Sequence, residues 1–315
     1  MYDIIIIGGG PAGLTAGLYA ARSKKKTLII EKGLEGGQIA ETTNVENYPG
    51  IDCIEGAELG KKMAEQAKKF GAKIVMDEVT DVELDGEVKK IKGYIEDYEA
   101  KTVIIATGAS PREIGAPGEK EYKGRGVSYC STCDAAFYED EDVYVVGGGD
   151  SAVQEAIFIT NFAKKVYIIH RRDELRASKD LQEKAFNNDK IDFIWNSQVK
   201  EIKGDKIVNE MILENTKTGE EKSIKSDSPF GIFVFIGYIP QTDLFKDKVE
   251  ITEDGYIKTD SEMRTNVPGV FAAGDIRQKT VRQVVNAAGD GAVAAMNAQK
   301  YIDEEEGNLY EGFKA

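Results

Sequence analysis

The sequence predicts an α/β protein that contains one strand–turn–helix–strand unit twice. Four isoleucines run directly into glycines in "DIIIIGGG". A second apolar run, "VYVV", leads into three glycines at residues 147–149. Each glycine turn precedes a segment with helical character and then another apolar strand, "TLIIE" in the first copy and "VYIIH" in the second. Strands and helices that alternate in this way indicate parallel sheets.

The two copies align without a gap at an offset of 139 residues. The alignment pairs Gly8 with Gly147, Gly10 with Gly149, Gly13 with Ala152, and Glu31 with His170. A G-x-G-x-x-G/A turn that follows a strand and opens a helix is typical of a Rossmann-like unit, which binds a dinucleotide. Its first glycine permits the turn, and its second lets the backbone approach a pyrophosphate at the helix N-terminus.

The two copies also end alike, which predicts one domain inserted into another. "TVIIATGASP" and "GIFVFIGYIP" are apolar strands that reach a glycine, with a proline three residues later. The predicted bounds are 1–114 and 243–315 for the outer domain and 115–242 for the inserted domain. We expect two Rossmann-like three-layer dinucleotide-binding domains, each with a small antiparallel β meander, at residues 73–100 and 204–226. Helices are expected over 55–71 and 280–302.

Composition excludes several classes of protein. The chain has 315 residues and a net charge of −14, which argues against a general nucleic-acid or membrane-surface binder. Three cysteines do not make a disulfide-stapled secreted domain. The N-terminus has no basic region of a signal peptide, and no apolar segment approaches the roughly 20 residues that span a bilayer. These features predict a cytoplasmic protein.

The residue after the second strand distinguishes the two dinucleotide units. Glu31 can accept hydrogen bonds from a ribose 2′-hydroxyl and would repel a 2′-phosphate, which suits FAD or NAD. His170 is followed by Arg171 and Arg172, and by Arg176 about one turn later if a helix starts here. Guanidinium groups match phosphate in geometry and charge, so the second copy predicts an NADP site. The alternative is a solvated helix start with surface arginines.

The segment "VFAAGDI" supports a flavin in the first domain. Its strand ends at Gly274 and Asp275, where a carboxylate can hold a ribityl hydroxyl and the following helix can point its dipole at the flavin. One NADP site and one site without provision for a 2′-phosphate suggest hydride transfer from a nicotinamide to a flavin.

Cys130 and Cys133 form a C-x-x-C motif with four interpretations. Zinc needs about four ligands, and the chain offers only one further cysteine and one histidine. A static disulfide fits poorly with a cytoplasmic chain, and a reduced, inert pair is the third interpretation. We favour the fourth, a redox dithiol, because this spacing lowers a thiol pKa and allows reversible two-electron exchange. Asp134 can move the proton, or it can be an ordinary helix cap, and Cys53 is expected to be a small buried residue.

The sequence resembles the low-molecular-weight bacterial thioredoxin reductases along essentially its whole length. The motifs that carry the resemblance are "GGGPAG", "GGQ", "VENYPG", "IIATGA", "GRGVSYCSTCD", "GGGDSA", "HRRDELRAS", "VPGVFAAGD" and "RQVVNAAGDG". Two positions depart from the common pattern of this family, Ala135 where glycine is frequent and Gln241 where asparagine is frequent.

The resemblance implies a homodimer with FAD in the outer domain and NADPH and the dithiol in the inserted domain. It implies that electrons pass from NADPH through FAD to the Cys130–Cys133 disulfide, and from the dithiol to thioredoxin, while the inserted domain rotates about its two connections. Cys133 would face the flavin, Cys130 would attack thioredoxin, and Asp134 would be the general acid/base. Alternatives are another donor such as ferredoxin, another protein disulfide as acceptor, and a redox-sensing flavoprotein without turnover.

The predicted site residues form two sets, carried over by motif position. For FAD they are Gly8, Gly10, Pro11, Ala12, Gly13, Glu31, Gly36, Gly37, Gln38, Asn47, Ala106, Thr107, Gly108, Gly274, Asp275, Arg282, Gln283 and Val284. For NADPH they are Gly149, Asp150, Ser151, Ala152, His170, Arg171, Arg172, Arg176 and Gly237. No metal site is predicted.

Overall fold

The isoleucines after Asp3 form the central strand of a parallel sheet in the computed structural model, which describes residues 1–42 and 45–308. Ile4–Ile7 pair with Thr27–Ile30 on one side and with Thr102–Ile105 on the other. All four isoleucines are at most 3% exposed. Other layers cover both faces of this sheet, so the strand is a continuous apolar run and does not alternate with polar residues.

The elements follow one another in the order that the repeat predicts. The strands are β1 (Tyr2–Ile7), β2 (Thr27–Glu31), β3 (Lys73–Met76), β4 (Val79–Glu83), β5 (Lys89–Gly93), β6 (Asp97–Ile105), β7 (Ala109–Pro111), β8 (Val127–Ser128), β9 (Asp142–Val146), β10 (Lys165–Ile169), β11 (Ile191–Ile194), β12 (Ser197–Gly204), β13 (Val208–Asn215), β14 (Glu221–Lys225), β15 (Gly231–Val234), β16 (Tyr238–Pro240) and β17 (Val270–Ala272). The helices are α1 (Pro11–Arg22), α2 (Gly56–Lys69), α3 (Ser131–Asp134), α4 (Asp150–Ile159), α5 (Lys179–Phe186) and α6 (Val284–Glu305). Short 3₁₀ turns lie at Gly37–Glu41, Ala135–Tyr138, Asp243–Phe245 and Gly274–Ile276.

The chain forms two compact units. The outer unit comprises Met1–Ser110 and Ile239–Ala315, and the inserted unit comprises Pro111–Tyr238. The sequence-based bounds lie four residues further along the chain at each crossing, because the turn residues after each strand belong to the unit they enter.

The outer unit has three layers. Its sheet has the order β3-β2-β1-β6-β5-β4, and β17 pairs with β6 in parallel. Ile4 and Ile6 pack with α1 and α6 on one face. Ile5 and Ile7 pack on the other face with the antiparallel strands β4 and β5 and with the chain around Val249–Ile257.

The inserted unit repeats this plan. Its parallel sheet has the order β11-β10-β9-β15-β8. Val143 and Val145 pack with α4 and α5, and Tyr144 and Val146 pack against the antiparallel sheet β12-β13-β14. The predicted fold class, two Rossmann-like domains of three layers, is confirmed.

Four local predictions differ from the structure. Lys73–Met76 does not belong to the meander, because it pairs with β2 in parallel and extends the main sheet. The last helix begins at Val284 and not at residue 280, and it extends to Glu305. Arg172 and Arg176 lie in an irregular loop, because the helix after β10 starts only at Lys179. The small antiparallel sheet of the inserted unit also gains a third strand, β12.

The two crossings have the same local geometry. Gly108 and Gly237 both have positive φ, +73° and +112°, which glycine adopts without strain. β7 and β16 form a two-stranded sheet, flanked by hydrogen bonds from Gln241 N to Gly108 O at 2.9 Å and from Arg112 N to Gly237 O at 2.8 Å. Each glycine turn therefore opens one strand of this connecting pair.

Candidate active site

The C-x-x-C motif lies where the edge strand β8 of the inserted unit ends. Cys130 is the N-cap of the single-turn helix α3, which contains Cys133, and the two sulfurs form a disulfide. The carboxyl edge of a parallel sheet is where open α/β folds bind ligands, so the motif has the position of a functional site. The disulfide agrees with the interpretation of the motif as a pair of cysteines that can be oxidised and reduced.

Asp134 is anchored beside this disulfide. Ser128 donates a hydrogen bond from its hydroxyl to Asp134 Oδ2 at 2.6 Å, and the Asp134 backbone N–H donates to Cys130 O at 3.2 Å. Burial raises the pKa of the Asp134 carboxyl, and the bond from Ser128 opposes this rise. A carboxyl group whose pKa is raised toward neutral pH is suited to exchange protons with thiols.

Two further carboxylates, not among the predicted site residues, accept hydrogen bonds from residues of the dithiol turn. Glu155, on α4, accepts a hydrogen bond from Ser131, which stands between the two cysteines. Glu119 is only 1% exposed and accepts a hydrogen bond from the Tyr129 hydroxyl at 2.7 Å. Neither glutamate belongs to a recognisable motif, so only their spatial proximity to the turn reveals them.

Cys53 is exposed, so the prediction of a small buried residue is wrong. It follows the exposed Asp52 in the loop that leads to α2, outside the apolar clusters of the outer unit. The described part of the chain gives it no disulfide partner.

The three motif glycines of the first turn differ in the space around them. A methyl group at Gly8 or Gly13 would meet backbone, at 2.4 Å from Ala106 O and at 1.9 Å from Gly8 O respectively. A methyl group at Gly10 would have its nearest neighbour, Gly36 O, at 3.9 Å. Gly8 and Gly13 are therefore needed for packing, whereas Gly10 leaves open space at the N-terminus of α1.

Glu31 stands at the end of β2, next to this turn. Its two carboxylate oxygens accept hydrogen bonds from Gly9 N at 2.6 Å and from Gly33 N at 2.8 Å. Each oxygen retains a further lone pair that can accept a ribose hydroxyl. The two backbone bonds fix the Glu31 carboxylate at the end of β2.

The other residues predicted for FAD come from several segments of the outer unit. Gly36 and Gly37 both have positive φ and begin the 3₁₀ turn that carries Gln38, whose side chain donates to Ala109 O. Asn47 Nδ2 donates to Gln283 Oε1 at 3.1 Å. These bonds join residues that lie far apart in the sequence.

The remaining predicted residues lie at strand and helix ends. Ala106, Thr107 and Gly108 follow β6, Gly274 and Asp275 follow β17, and Val284 begins α6. Pro11 and Ala12 open α1, and the Arg282 guanidinium lies 4.4 Å from the ring centroid of Tyr256. Asp275 Oδ1 is buried and accepts no hydrogen bond among the described residues.

The second glycine turn is likewise open at its middle glycine. A methyl group at Gly149 would have no neighbour within 4 Å, and Gly149 is the N-cap of α4, which begins with Asp150, Ser151 and Ala152. Gly148 allows His170 to pack beneath it, since a methyl group there would lie 2.3 Å from His170 Nδ1. Gly237, at the crossing, follows β15 of the same sheet.

His170 and the arginines form a polar region beside this turn. His170 is 5% exposed, and its Nε2 has no hydrogen-bond partner among the described residues. Burial lowers the pKa of His170, and the charges of Arg176, Arg172 and Arg171 lower it further. A neutral imidazole among three guanidinium groups leaves the local potential positive, as a phosphate requires.

Backbone hydrogen bonds hold the arginine loop in place. Arg176 N donates to Gly148 O at 2.7 Å, which joins the loop to the glycine turn. Asp150 Oδ1 accepts from Ser178 N at 2.6 Å. Thr216 donates from its hydroxyl to Arg171 O at 2.9 Å, and Asn196 N donates to Arg172 O at 3.1 Å.

Both sets of residues fit the cofactors that the sequence analysis predicts for them. Each glycine turn has open space at its middle glycine, and beside the second turn His170 Nε2 is buried and has no hydrogen-bond partner among the described residues. Such atoms are expected where a ligand completes the hydrogen bonding.

No helix of the described residues has the length and apolar character to span a membrane.

Comparisons with known proteins agree on one family. Residues 2–291 match the model of the pyridine nucleotide-disulphide oxidoreductase family. A thioredoxin reductase of Peptoclostridium acidaminophilum is 57% identical over 307 residues, which cover 96% of this chain and 98% of the relative. A thioredoxin reductase of Bacillus subtilis is 51% identical over 306 residues, with 96% of each chain covered. The crystal structure of thioredoxin reductase from Streptococcus pyogenes is 51% identical, with a TM-score of 0.92 over 96% of this chain and 99% of the other.

Proposed function

Because this chain belongs to the pyridine nucleotide-disulphide oxidoreductase family, in the branch of the thioredoxin reductases, we propose that it reduces the disulfide of a thioredoxin with electrons from NADPH. The observation that carries this proposal is the Cys130–Cys133 disulfide beside the half-buried Asp134, in the same unit as the arginine-bearing dinucleotide turn. Proteins of this family use a flavin and a nicotinamide cofactor.

The two cysteines exchange electrons with the acceptor through covalent sulfur chemistry. In the reduced enzyme the Cys130 thiolate attacks one sulfur of the thioredoxin disulfide and forms a mixed disulfide, and the other thioredoxin sulfur leaves as a thiolate. The Cys133 thiolate then attacks Cys130, which restores the Cys130–Cys133 disulfide and releases reduced thioredoxin. Asp134 accepts and donates the protons that the thiols lose and gain.

The charges at the two glycine turns support a more specific proposal for the two cofactors. Glu31 would repel a 2′-phosphate, so the outer unit is proposed to hold FAD through the residues predicted above. Arg171, Arg172 and Arg176 match a 2′-phosphate, so the inserted unit is proposed to hold NADPH. When bound, the two cofactors supply the hydride and two-electron chemistry that returns the disulfide to the dithiol.

Three further properties are proposed from the family resemblance. The enzyme is a homodimer, it acts in the cytoplasm, and the inserted unit rotates about the crossings at β7 and β16. A crosslink between these crossings should stop turnover and leave both cofactors bound. Normal turnover of the crosslinked protein would exclude rotation. The homodimer is tested separately, by sedimentation equilibrium.

The experiment that tests the proposed function measures NADPH oxidation in the presence of a purified thioredoxin. Wild type and the Cys53→Ser variant should turn over at equal rates, because Cys53 is exposed and outside the dithiol. The Cys130→Ser and Cys133→Ser variants should fall to the background rate, because neither can complete the exchange.

Other outcomes would identify another function. Equal rates in wild type and Cys130→Ser would eliminate the dithiol mechanism. Turnover with reduced ferredoxin but not with NADPH would indicate a different donor. A protein that consumes no NADPH with any thioredoxin, and that still recognises a partner in the double serine variant, would be a redox sensor.

A further inference from the structure

Four charged side chains form a cluster beneath the Gly274–Asp275 turn of the outer unit. The charge cluster consists of Asp275, Arg277, Lys279 and Asp290. Lys279 Nζ lies 3.1 Å from Asp275 Oδ1 and 3.3 Å from Asp290 Oδ2, and Arg277 Nη1 lies 3.4 Å from Asp290 Oδ2. The side chains of Lys279, Asp290 and Arg277 are only 10–14% exposed. The mechanism above gives none of these three a role.

The cluster holds the backbone of the turn as well as its carboxylate. Asp290, in α6, accepts a hydrogen bond from Gly274 N at 3.1 Å. Gly274 has a φ of +81°, and a methyl group there would lie 2.8 Å from Ala12 Cβ in the first turn of α1. Asp290 therefore fixes a turn that requires glycine and that lies close to the first glycine motif.

The charges of the cluster balance only while Lys279 is present. Two carboxylates face two cations, and Lys279 is the cation that contacts both carboxylates. Arg277 forms its ion pair with Asp290 and also donates from Nε to Thr259 Oγ1 at 2.9 Å. Loss of Lys279 would leave Asp275 without an ion-pair partner in the described part of the chain.

The contact of Lys279 with Asp275 leaves the carboxylate available to a ligand. Lys279 Nζ lies 3.1 Å from Asp275 Oδ1, and its charge opposes the rise in the pKa of Asp275 that burial causes. An ammonium group can neutralise a carboxylate in this way while an acceptor lone pair stays free. A ribityl hydroxyl is a donor of the right chemistry.

We propose that Lys279 is a positioning residue for FAD, which keeps Asp275 charged and oriented toward the ribityl chain and offsets the charge of Asp290. The inference rests on the proposed function, because it assumes that the outer unit binds FAD. An FAD pyrophosphate carries two negative charges, so an uncompensated carboxylate pair nearby would weaken its binding.

The test is a titration of flavin-free protein with FAD, followed by the change in flavin fluorescence. Lys279→Met should weaken FAD binding by about 10-fold or more, since it unbalances a largely buried cluster. Lys279→Arg, which keeps the charge, should recover most of the affinity. Lys300→Met is the matched control on α6, because its ion pair with Glu304 is long, at 4.0 Å, and about half exposed.

A double variant separates charge from packing. Asp290→Asn keeps an oxygen acceptor for Gly274 N and removes one negative charge. Lys279→Met combined with Asp290→Asn restores the charge balance and should bind FAD more tightly than Lys279→Met alone. Thermal unfolding of the flavin-free variants reports any purely structural effect. If Lys279→Met does not fold, Lys279→Gln replaces it with the same expectation.

Three results would overturn the inference. Lys279→Met would bind FAD like Lys300→Met, or Lys279→Arg would bind as weakly as Lys279→Met, or the double variant would bind no more tightly than Lys279→Met alone. Failure of the wild-type protein to bind FAD is a separate result, which would remove the proposed function itself.

Discussion

Ser128 donates a hydrogen bond to Asp134 across the base of the dithiol turn, with an oxygen-to-oxygen distance of 2.6 Å. Burial raises the pKa of Asp134, and the hydrogen bond from Ser128 lowers it. The two residues stand on either side of the C-x-x-C motif, at positions 128 and 134. Their contact therefore lowers the pKa of the proposed proton carrier, against the larger effect of burial.

Replacement of Ser128 by alanine should move the Asp134 ionisation to higher pH. The hydrogen bond stabilises the carboxylate, so its loss leaves the effect of burial unopposed. The profile of kcat/KM for thioredoxin against pH should show this step displaced toward alkaline pH, and Asp134→Asn should abolish the step. Ser128→Thr keeps the hydroxyl and should have the wild-type profile. Ser223→Ala, at an exposed position, is the control and should also have the wild-type profile. An unchanged profile in Ser128→Ala would show that this bond does not tune Asp134.

Tyr129→Phe should lower the free energy of unfolding by about 1–3 kcal/mol. Glu119 is 1% exposed and accepts hydrogen bonds from Ile114 N, Gly115 N and the Tyr129 hydroxyl. Loss of the hydroxyl leaves a buried carboxylate oxygen with one donor fewer. Urea unfolding measures the change, and Tyr94→Phe is the control because Tyr94 is 82% exposed. Equal stability of the two variants would mean that water replaces the hydroxyl.

Gly13→Ala should destabilise the fold, whereas Gly10→Ala should leave the fold intact and weaken FAD binding. A methyl group at Gly13 would lie 1.9 Å from Gly8 O, so Gly13→Ala should cost about 3 kcal/mol of stability. A methyl group at Gly10 meets nothing closer than 3.9 Å, so Gly10→Ala should fold normally. It should nevertheless lose FAD affinity, because the methyl group fills the space left for the pyrophosphate. Thermal unfolding and FAD titration distinguish the two, and full FAD binding by Gly10→Ala would place the pyrophosphate elsewhere.

The Arg172→Ala and Arg176→Ala variants should each raise the KM for NADPH by about 10- to 100-fold, the value of one charged hydrogen bond. The KM for NADH should stay unchanged, since NADH has no 2′-phosphate. Steady-state kinetics with both nucleotides measures the ratio. Lys217→Met is the matched control, because Lys217 pairs with Asp173 of the same loop at 2.5 Å without belonging to the arginine motif. An equal loss with NADPH and NADH would show that the arginines maintain the loop and do not select the phosphate.

Local patterns in the sequence were sufficient to predict the two glycine turns, their strands and helices, and the C-x-x-C motif. These features depend on short-range rules, because a buried parallel strand must be apolar and a turn beneath a helix N-terminus must be glycine-rich. The strand Lys73–Met76 was misassigned for the complementary reason. Its residues suit either pairing, and only the proximity of β2 decides between them.

Tertiary structure alone determined which polar groups surround each predicted residue. Glu119 reaches Tyr129, Glu155 reaches Ser131, and Lys279 joins Asp275 to Asp290, although no spacing in the sequence indicates these pairs. The exposure of Cys53 is a further example, since the loop around it determines solvent contact. A motif specifies which chemistry a residue can perform. The pKa and orientation of that residue depend on burial and on charges from distant segments, which only the folded chain brings together.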